Sequence, residues 1–132
     1  MQEEKIVCIL FEAPYSTLFL AEKLFKLKKI ISRVREAKLF FYLDGTHQLN
    51  QGQYSVNFDN IEQILTKIHQ NHQHIEIYAC SRCTAARGYI DLEKSDMENG
   101  RFISNKLIPF VKIVSINILG EFLKKGYRII QI

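Results

Sequence analysis

Lys5-Ile-Val-Cys-Ile-Leu-Phe11 is a nearly continuous apolar run near the start of this 132-residue chain. A strand with one wet face alternates apolar and polar residues, whereas an unbroken run suits a strand covered on both faces of a parallel sheet. Parallel neighbours need a crossover, most often a helix, and the sequence supplies one. Pro14 and Ser16 mark a turn and a helix cap. From about Thr17 to Arg35, Leu20, Leu24, Leu27, Ile31 and Val34 recur at helical spacing, with Glu22, Lys26, Lys29 and Arg33 on another stripe. The spacing predicts an amphipathic helix lying on a core.

The same alternation continues along the chain. Lys38 to Leu43 reads as the second strand. Asp44 to Phe58 is rich in Gly, Asn and Gln and lacks a period; a loop of that length in a compact domain is uncommon and often functional. Asp59 with Glu62 resembles a capping box ahead of a second helix faced by Ile61, Ile64, Leu65 and Ile68. His74 to Ala79 is the third strand, followed by a helix starting near Cys83 and running to Gly88. A short helix around Ser95 to Asn99 ends at Gly100. Phe110 to Val114 reads as a fourth strand. A helix then buries Ile118, Leu119, Phe122 and Leu123, ends in Lys124 and Lys125, and has Gly126 as its C′ residue. Tyr127 to Ile132 is the fifth strand.

Strands alternating with helices imply an α/β fold. The expectation is one domain over residues 1–132, three-layer α/β/α, with a five-stranded, mainly parallel sheet. A chain of this size buries roughly two-thirds of its unfolded surface, and 47% hydrophobic residues supply the core. Three cysteines are too few for a disulfide framework, and a CxxC spacing in a reducing compartment reads as redox or metal chemistry. Met-Gln-Glu-Glu-Lys is polar and is not expected to be a signal peptide. No apolar run reaches the length of a membrane span, so a cytoplasmic protein is expected. The net charge is +4, and seven of the sixteen residues from Lys23 to Lys38 are Lys or Arg, against one acidic residue, Glu36. That run reads as a solvated helix face, with a docking surface for RNA or an acidic protein as the alternative. It lacks interleaved aromatics, so direct nucleic-acid binding is not expected.

In parallel sheets, reactive groups gather beyond the carboxyl ends of the strands. Phe11–Ser16, Asp44–Phe58 and Cys80–Gly88 leave that edge and are expected to share one site. Cys80-Ser-Arg-Cys83-Thr-Ala-Ala-Arg87-Gly88 is the segment richest in chemistry. A thiol between a strand and a helix start feels unpaired N–H groups that favour the thiolate, which is the nucleophile. Cys80 is therefore the candidate nucleophile, with a well-packed thiol as the alternative. Cys83 is either a second reactive thiol or a core position. Arg87 either steadies a sulfur anion, pairs with an acidic residue or lines a subunit contact. Arg82 reads as solvated, and Cys8 as core. His47 is a candidate acid–base partner or a surface histidine, and Glu12 and Tyr15 are candidate pocket residues. His69, His72 and His74 fall at the far end of the third strand and are not expected to form a metal site. One CxxC supplies two zinc ligands where structural sites want four, and Glu12-Ala-Pro-Tyr-Ser16 lacks a glycine-rich phosphate cradle. No cofactor is expected.

Phe41-Tyr-Leu-Asp44-Gly45-Thr-His47-Gln-Leu-Asn50-Gln resembles the Tyr-x-Asp/Glu-Gly-Val…Asn segment of the DsrE/DsrF/TusD-like sulfur-relay family. Cys80 to Gly88 resembles the family's active-site segment, in which a cysteine follows strand three and an Arg-Gly comes six to seven residues later. The closing strand–helix–strand, Val111 to Ile132, also fits, so the resemblance spans essentially the whole chain. It implies a sulfurtransferase-like carrier that takes sulfane sulfur as a persulfide on Cys80 and exchanges it with donor and acceptor proteins. It further implies a homo- or hetero-oligomer such as a trimer or hexamer. Cys83 departs from the single-cysteine pattern, and leaves open whether sulfur is passed on or resolved as a disulfide. A CxxC thiol–disulfide oxidoreductase and a non-catalytic assembly subunit are the alternatives. Pro109 before strand–helix–strand argues against a thioredoxin-like fold.

Overall fold

The computed structural model describes residues 4–17 and 19–132. Its strands are β1 (Lys5–Leu10), β2 (Glu36–Phe41), β3 (Ile75–Cys80), β4 (Lys112–Val114) and β5 (Arg128–Gln131). They form one sheet in the order β4-β3-β2-β1-β5, and every neighbouring pair is parallel. The helices are α1 (Leu20–Ile31), α2 (Ile61–Asn71), α3 (Ser81–Ala86) and α4 (Ile118–Lys124). A 3₁₀ helix spans Leu43–Leu49, and a second covers Met97–Asn99 before Gly100, whose φ is +76°.

Strand order decides the layering. β1, β2 and β3 step across the sheet in one direction, so right-handed crossovers place α1 and α2 on one face. The β4-to-β5 connection crosses back over the whole sheet, and the same rule sends α4 to the other face. Side chains of β1 to β3 alternate accordingly. Ile6, Cys8, Leu10, Ala37, Leu39, Phe41, Ile75, Ile77 and Ala79 share a core with Leu24, Leu27, Ile31, Leu65 and Ile68. Val7, Phe40, Tyr78 and Cys80 point the other way, to Phe122, Tyr127, Ile118 and Leu119. On this face the sheet is covered by the seven-residue α4, with Cys83 of α3 beside it.

The first helix is shorter than its apolar spacing suggests. Leu20, Leu24, Leu27 and Ile31 are buried, each stabilising the fold by about 1.5–3 kcal/mol. Ser16 closes a turn on the Ala13 carbonyl at 2.8 Å and does not cap the helix. At the other end, Ser32 Oγ donates to the Lys28 carbonyl, and Arg33 and Val34 make i−3 turns. Those turns deliver Glu36 into register with Lys5, so the strand claims residues the spacing gives to the helix. Leu18 and Met1–Glu3, the latter part of the polar N-terminal segment, lie outside the described residues.

α2 also starts differently. Asn60, not Asp59, is its cap, with Oδ1 accepting from the Gln63 amide at 3.0 Å. Glu62 turns outward and accepts the Gly52 and Gln53 amides at 2.9 and 2.8 Å, tying the preceding loop to the helix.

Candidate functional site

The expected loop from Asp44 begins as the Leu43–Leu49 3₁₀ helix, in which Gly45, Thr46, Gln48 and Leu49 are buried. A short 3₁₀ turn has too few residues to show a period, so the sequence reads as irregular. Gly45 lies against the end of β1: a Cβ there would come 2.2 Å from the Leu10 carbonyl oxygen. That close approach, with the Tyr42 amide on the same carbonyl at 2.9 Å, forces the intervening Leu43 into the left-handed region at φ +52°. The Leu43 N–H consequently points across to α3 and donates to Cys83 Sγ at 3.1 Å.

Cys80 is the last residue of β3 and the N-cap of α3, which begins at Ser81 and not near Cys83. Its parity turns the thiol to the α4 face, where only 2% of the residue is exposed. It forms part of the wall of a cavity of about 200 Å³ together with Ser81, Arg82, Ser115, Ile116 and Asn117. Cys80 pairs with Val114, the last residue of β4, which brings the β4–α4 segment alongside. This fourth carboxyl-edge segment goes unmarked in the sequence because only the strand order makes it a neighbour.

Cys83 lies in the first turn of α3, also on the α4-face core. Cys80, three residues earlier, belongs to the same buried cluster. Burial pushes the Cys83 thiol above its ordinary range, and Cys80 does the same; the Leu43 amide and the Arg87 charge pull the other way. The Arg87 guanidinium donates to Asp44 Oδ1 at 3.0 and 2.8 Å and to the Cys83 carbonyl at 3.1 Å. It therefore clamps the 3₁₀ helix to α3. All three candidate site residues, Cys80, Cys83 and Arg87, belong to this one junction.

The other candidates, Arg82 apart, are held by other contacts. His47 Nδ1 is 2.6 Å from Tyr89 Oη, and the two rings meet edge to face. Tyr15 donates to Gln53 Oε1 and accepts the Ile61 amide, while Glu12 pairs with Lys23 at 2.7 Å. The Phe11–Ser16 loop thus braces the Asp44–Phe58 segment. Arg82 is exposed at the cavity rim. Cys8 is inaccessible, and burial pushes its thiol up to about 12 against the opposing charge of Arg128. His72 Nδ1 meets the Ile68 carbonyl and His74 Nε2 the Ile31 carbonyl, closing the ends of α2 and α1; His69 stacks on Phe110 at 4.1 Å.

A wholly parallel five-stranded α/β sheet with a cysteine ending its third strand, beside a second strand-end cavity wall, defines the class. The chain belongs to the DsrE/DsrF-like family, whose model matches residues 5–132. No curated protein matches it. Among solved structures it is similar to the ychN protein from E. coli, at 22% identity and TM-score 0.72, with 98% of this chain and 99% of that one covered. It is also similar to a conserved protein of unknown function, BT1422, from Bacteroides thetaiotaomicron, at 16% identity and TM-score 0.58, covering 98% and 95%. At these identities the two structures speak for the fold. No helix among the described residues is long and apolar enough to cross a membrane.

Proposed function

We propose that this protein is a cytoplasmic sulfur carrier of sulfurtransferase type that accepts sulfane sulfur on Cys80 and passes it to a partner protein. The observation that carries the reading is Cys80 in the wall of a polar cavity rimmed by Arg82, in a chain of the DsrE/DsrF-like family. Cys80 as thiolate attacks the outer sulfur of a donor persulfide; the donor S–S bond breaks, and the donor thiolate leaves with a proton. The product is a Cys80 persulfide whose outer sulfur occupies the cavity, with Arg82, Ser115 and Asn117 beside its charge. The hand-off to an acceptor is the same exchange in reverse. Arg87 serves by position, since its bonds to Asp44 and the Cys83 carbonyl hold the two halves of the site together. Donor and acceptor are proteins that reach the carboxyl edge of the sheet, and a homo- or hetero-oligomer such as a trimer or hexamer is the expected assembly.

Intact-protein mass spectrometry tests this in a Cys83→Ser background, where only Cys80 and the buried Cys8 remain. After anaerobic exposure to glutathione persulfide, Cys83→Ser should gain the mass of one sulfur atom, and Cys80→Ser/Cys83→Ser should gain none. Equal gain by both variants, or none by either, would overturn the reading.

A further inference from the structure

Cys83 is the feature that the carrier chemistry leaves unused. A thiol beside a persulfide has two courses. Attack on the outer sulfur moves the sulfane sulfur to the attacker, whereas attack on the inner sulfur forms a disulfide and expels sulfide. Which course is open depends on the atom the thiol can reach and on the direction from which it comes.

The arrangement of the two cysteines bears on both points. Cys83 packs with Cys80 in one buried cluster, three residues further on in the first turn of α3, and the Cys80 sulfur becomes the inner one once Cys80 is loaded. The cavity that would receive the outer sulfur is walled by Cys80, Ser81, Arg82, Ser115, Ile116 and Asn117. Cys83 comes from the Leu43 side, where the Leu43 N–H fixes its sulfur at 3.1 Å. Displacement at sulfur needs the attacking and leaving atoms in line on opposite sides. Cys83 does not share in walling the cavity, so the nucleophile and the space for the leaving atom are distinct. A cysteine ending a strand and another in the first turn of the following helix also have the spacing at which CxxC pairs exchange between dithiol and disulfide.

We infer that Cys83 is a resolving thiol, giving this protein a second activity: reduction of the Cys80-bound sulfane sulfur to hydrogen sulfide when no acceptor collects it. The Cys83 sulfur bonds to Cys80 Sγ, and the bond from Cys80 Sγ to the outer sulfur breaks. The outer sulfur takes the Cys83 proton and leaves as hydrosulfide, which departs through the cavity and is protonated to hydrogen sulfide by water. The two thiols are oxidised to a Cys80–Cys83 disulfide, and the sulfane sulfur is reduced by two electrons. A dithiol reductant, small or protein-borne, restores the site by ordinary exchange. The Leu43 amide favours this course because it stabilises negative charge on Cys83 as the proton leaves.

This inference rests on Cys80 as the sulfur acceptor, and one anaerobic experiment separates the two claims. Fully reduced wild type, Cys83→Ser and Cys83→Ala are each given one equivalent of glutathione persulfide without further reductant, and free sulfide and protein mass are followed. Wild type should release about one sulfide per chain and lose the mass of two hydrogens. Cys83→Ser and Cys83→Ala should hold the added sulfur atom and release sulfide at least about tenfold more slowly. Trypsin offers a readout that needs no variant. It cuts after Arg82, between the two cysteines, so the disulfide holds together two peptides that otherwise separate. Wild type that keeps its added sulfur, with no sulfide and no linked peptides, overturns the inference and leaves the carrier standing. Failure of both Cys83 variants to take up sulfur overturns the carrier reading and the inference with it.

Discussion

Gly45 and Leu43 show how a site is set by residues whose side chains never enter it. Leu43 holds φ +52° and is 45% exposed, a conformation that costs a non-glycine residue about 1–2 kcal/mol. Glycine there removes that strain, gives up little buried surface, and adds unfolded-state entropy of about 0.5–1 kcal/mol. Leu43→Gly should accordingly be neutral to about 1 kcal/mol more stable by urea denaturation. Gly45→Ala should act in the opposite sense: its Cβ meets backbone, not a movable side chain, at 2.2 Å. A loss of about 2–4 kcal/mol is expected in the same titration. Equal stability of Gly45→Ala and wild type would mean that this loop does not sit against β1. Cys80, Cys83 and Arg87 were legible in the sequence as a motif. The Leu43 amide was not, because a backbone donor leaves no mark in residue types and its aim depends on a contact between distant segments.

At the scale of elements, the amino ends of β2, β3 and β4 carry a charge ladder on the α4 face. Lys38 reads in sequence as part of a basic helix surface, but β2 parity turns it inward, where it is 9% exposed. Glu76 binds both Lys38 and Lys112 and also accepts from Tyr78 Oη at 2.9 Å. The hydrogen bond from Lys112, then that from Lys38, lowers the Glu76 carboxyl to about 2 against the opposing effect of burial. Its unfolded value is near 4.3, so the unfolded chain takes up the proton first as pH falls. The contribution of Glu76 is therefore complete above about pH 5 and is lost progressively toward about pH 2. Glu76→Gln should cost about 1–2 kcal/mol at neutral pH, because Lys38 stays buried without its carboxylate; the figure is discounted because the Glu76 side chain is 35% exposed. Denaturation from pH 7 to pH 3 should converge for the two proteins, and a gap that stays constant would contradict the ladder. Sequence periodicity located β2 and β3 to within two residues. It could not show that Lys38 and Glu76 stand side by side, since that follows from strand pairing alone.

The whole molecule separates two kinds of thiol by distance from the sheet's margins. Cys80 and Cys83 lie where loops meet, whereas Cys8 sits in β1 between β2 and β5, facing α1 and α2. The alternating elements and apolar runs made this placement of Cys8 legible from the start. The strand order was not, because five parallel strands can be threaded in several ways without altering any local pattern. That order leaves β1 with a four-residue edge strand, β5, on one side, and β5 is half-exposed. Reaction of Cys8 with a thiol reagent therefore reports the parting of α1 and α2 from the sheet, and not the loss of β5. Cys8 points away from the α4 face, so loss of β5 alone leaves α1 and α2 over its thiol, and its high pKa further suppresses reaction at neutral pH. In Cys80→Ser/Cys83→Ser, labelling of Cys8 should be slow in buffer and rise with urea in parallel with the loss of helical signal. Agreement of the labelling free energy with the denaturation free energy would place Cys8 in the last unit to open. Fast labelling in buffer, independent of urea, would instead require α1 and α2 to part from the sheet while the strands stay paired.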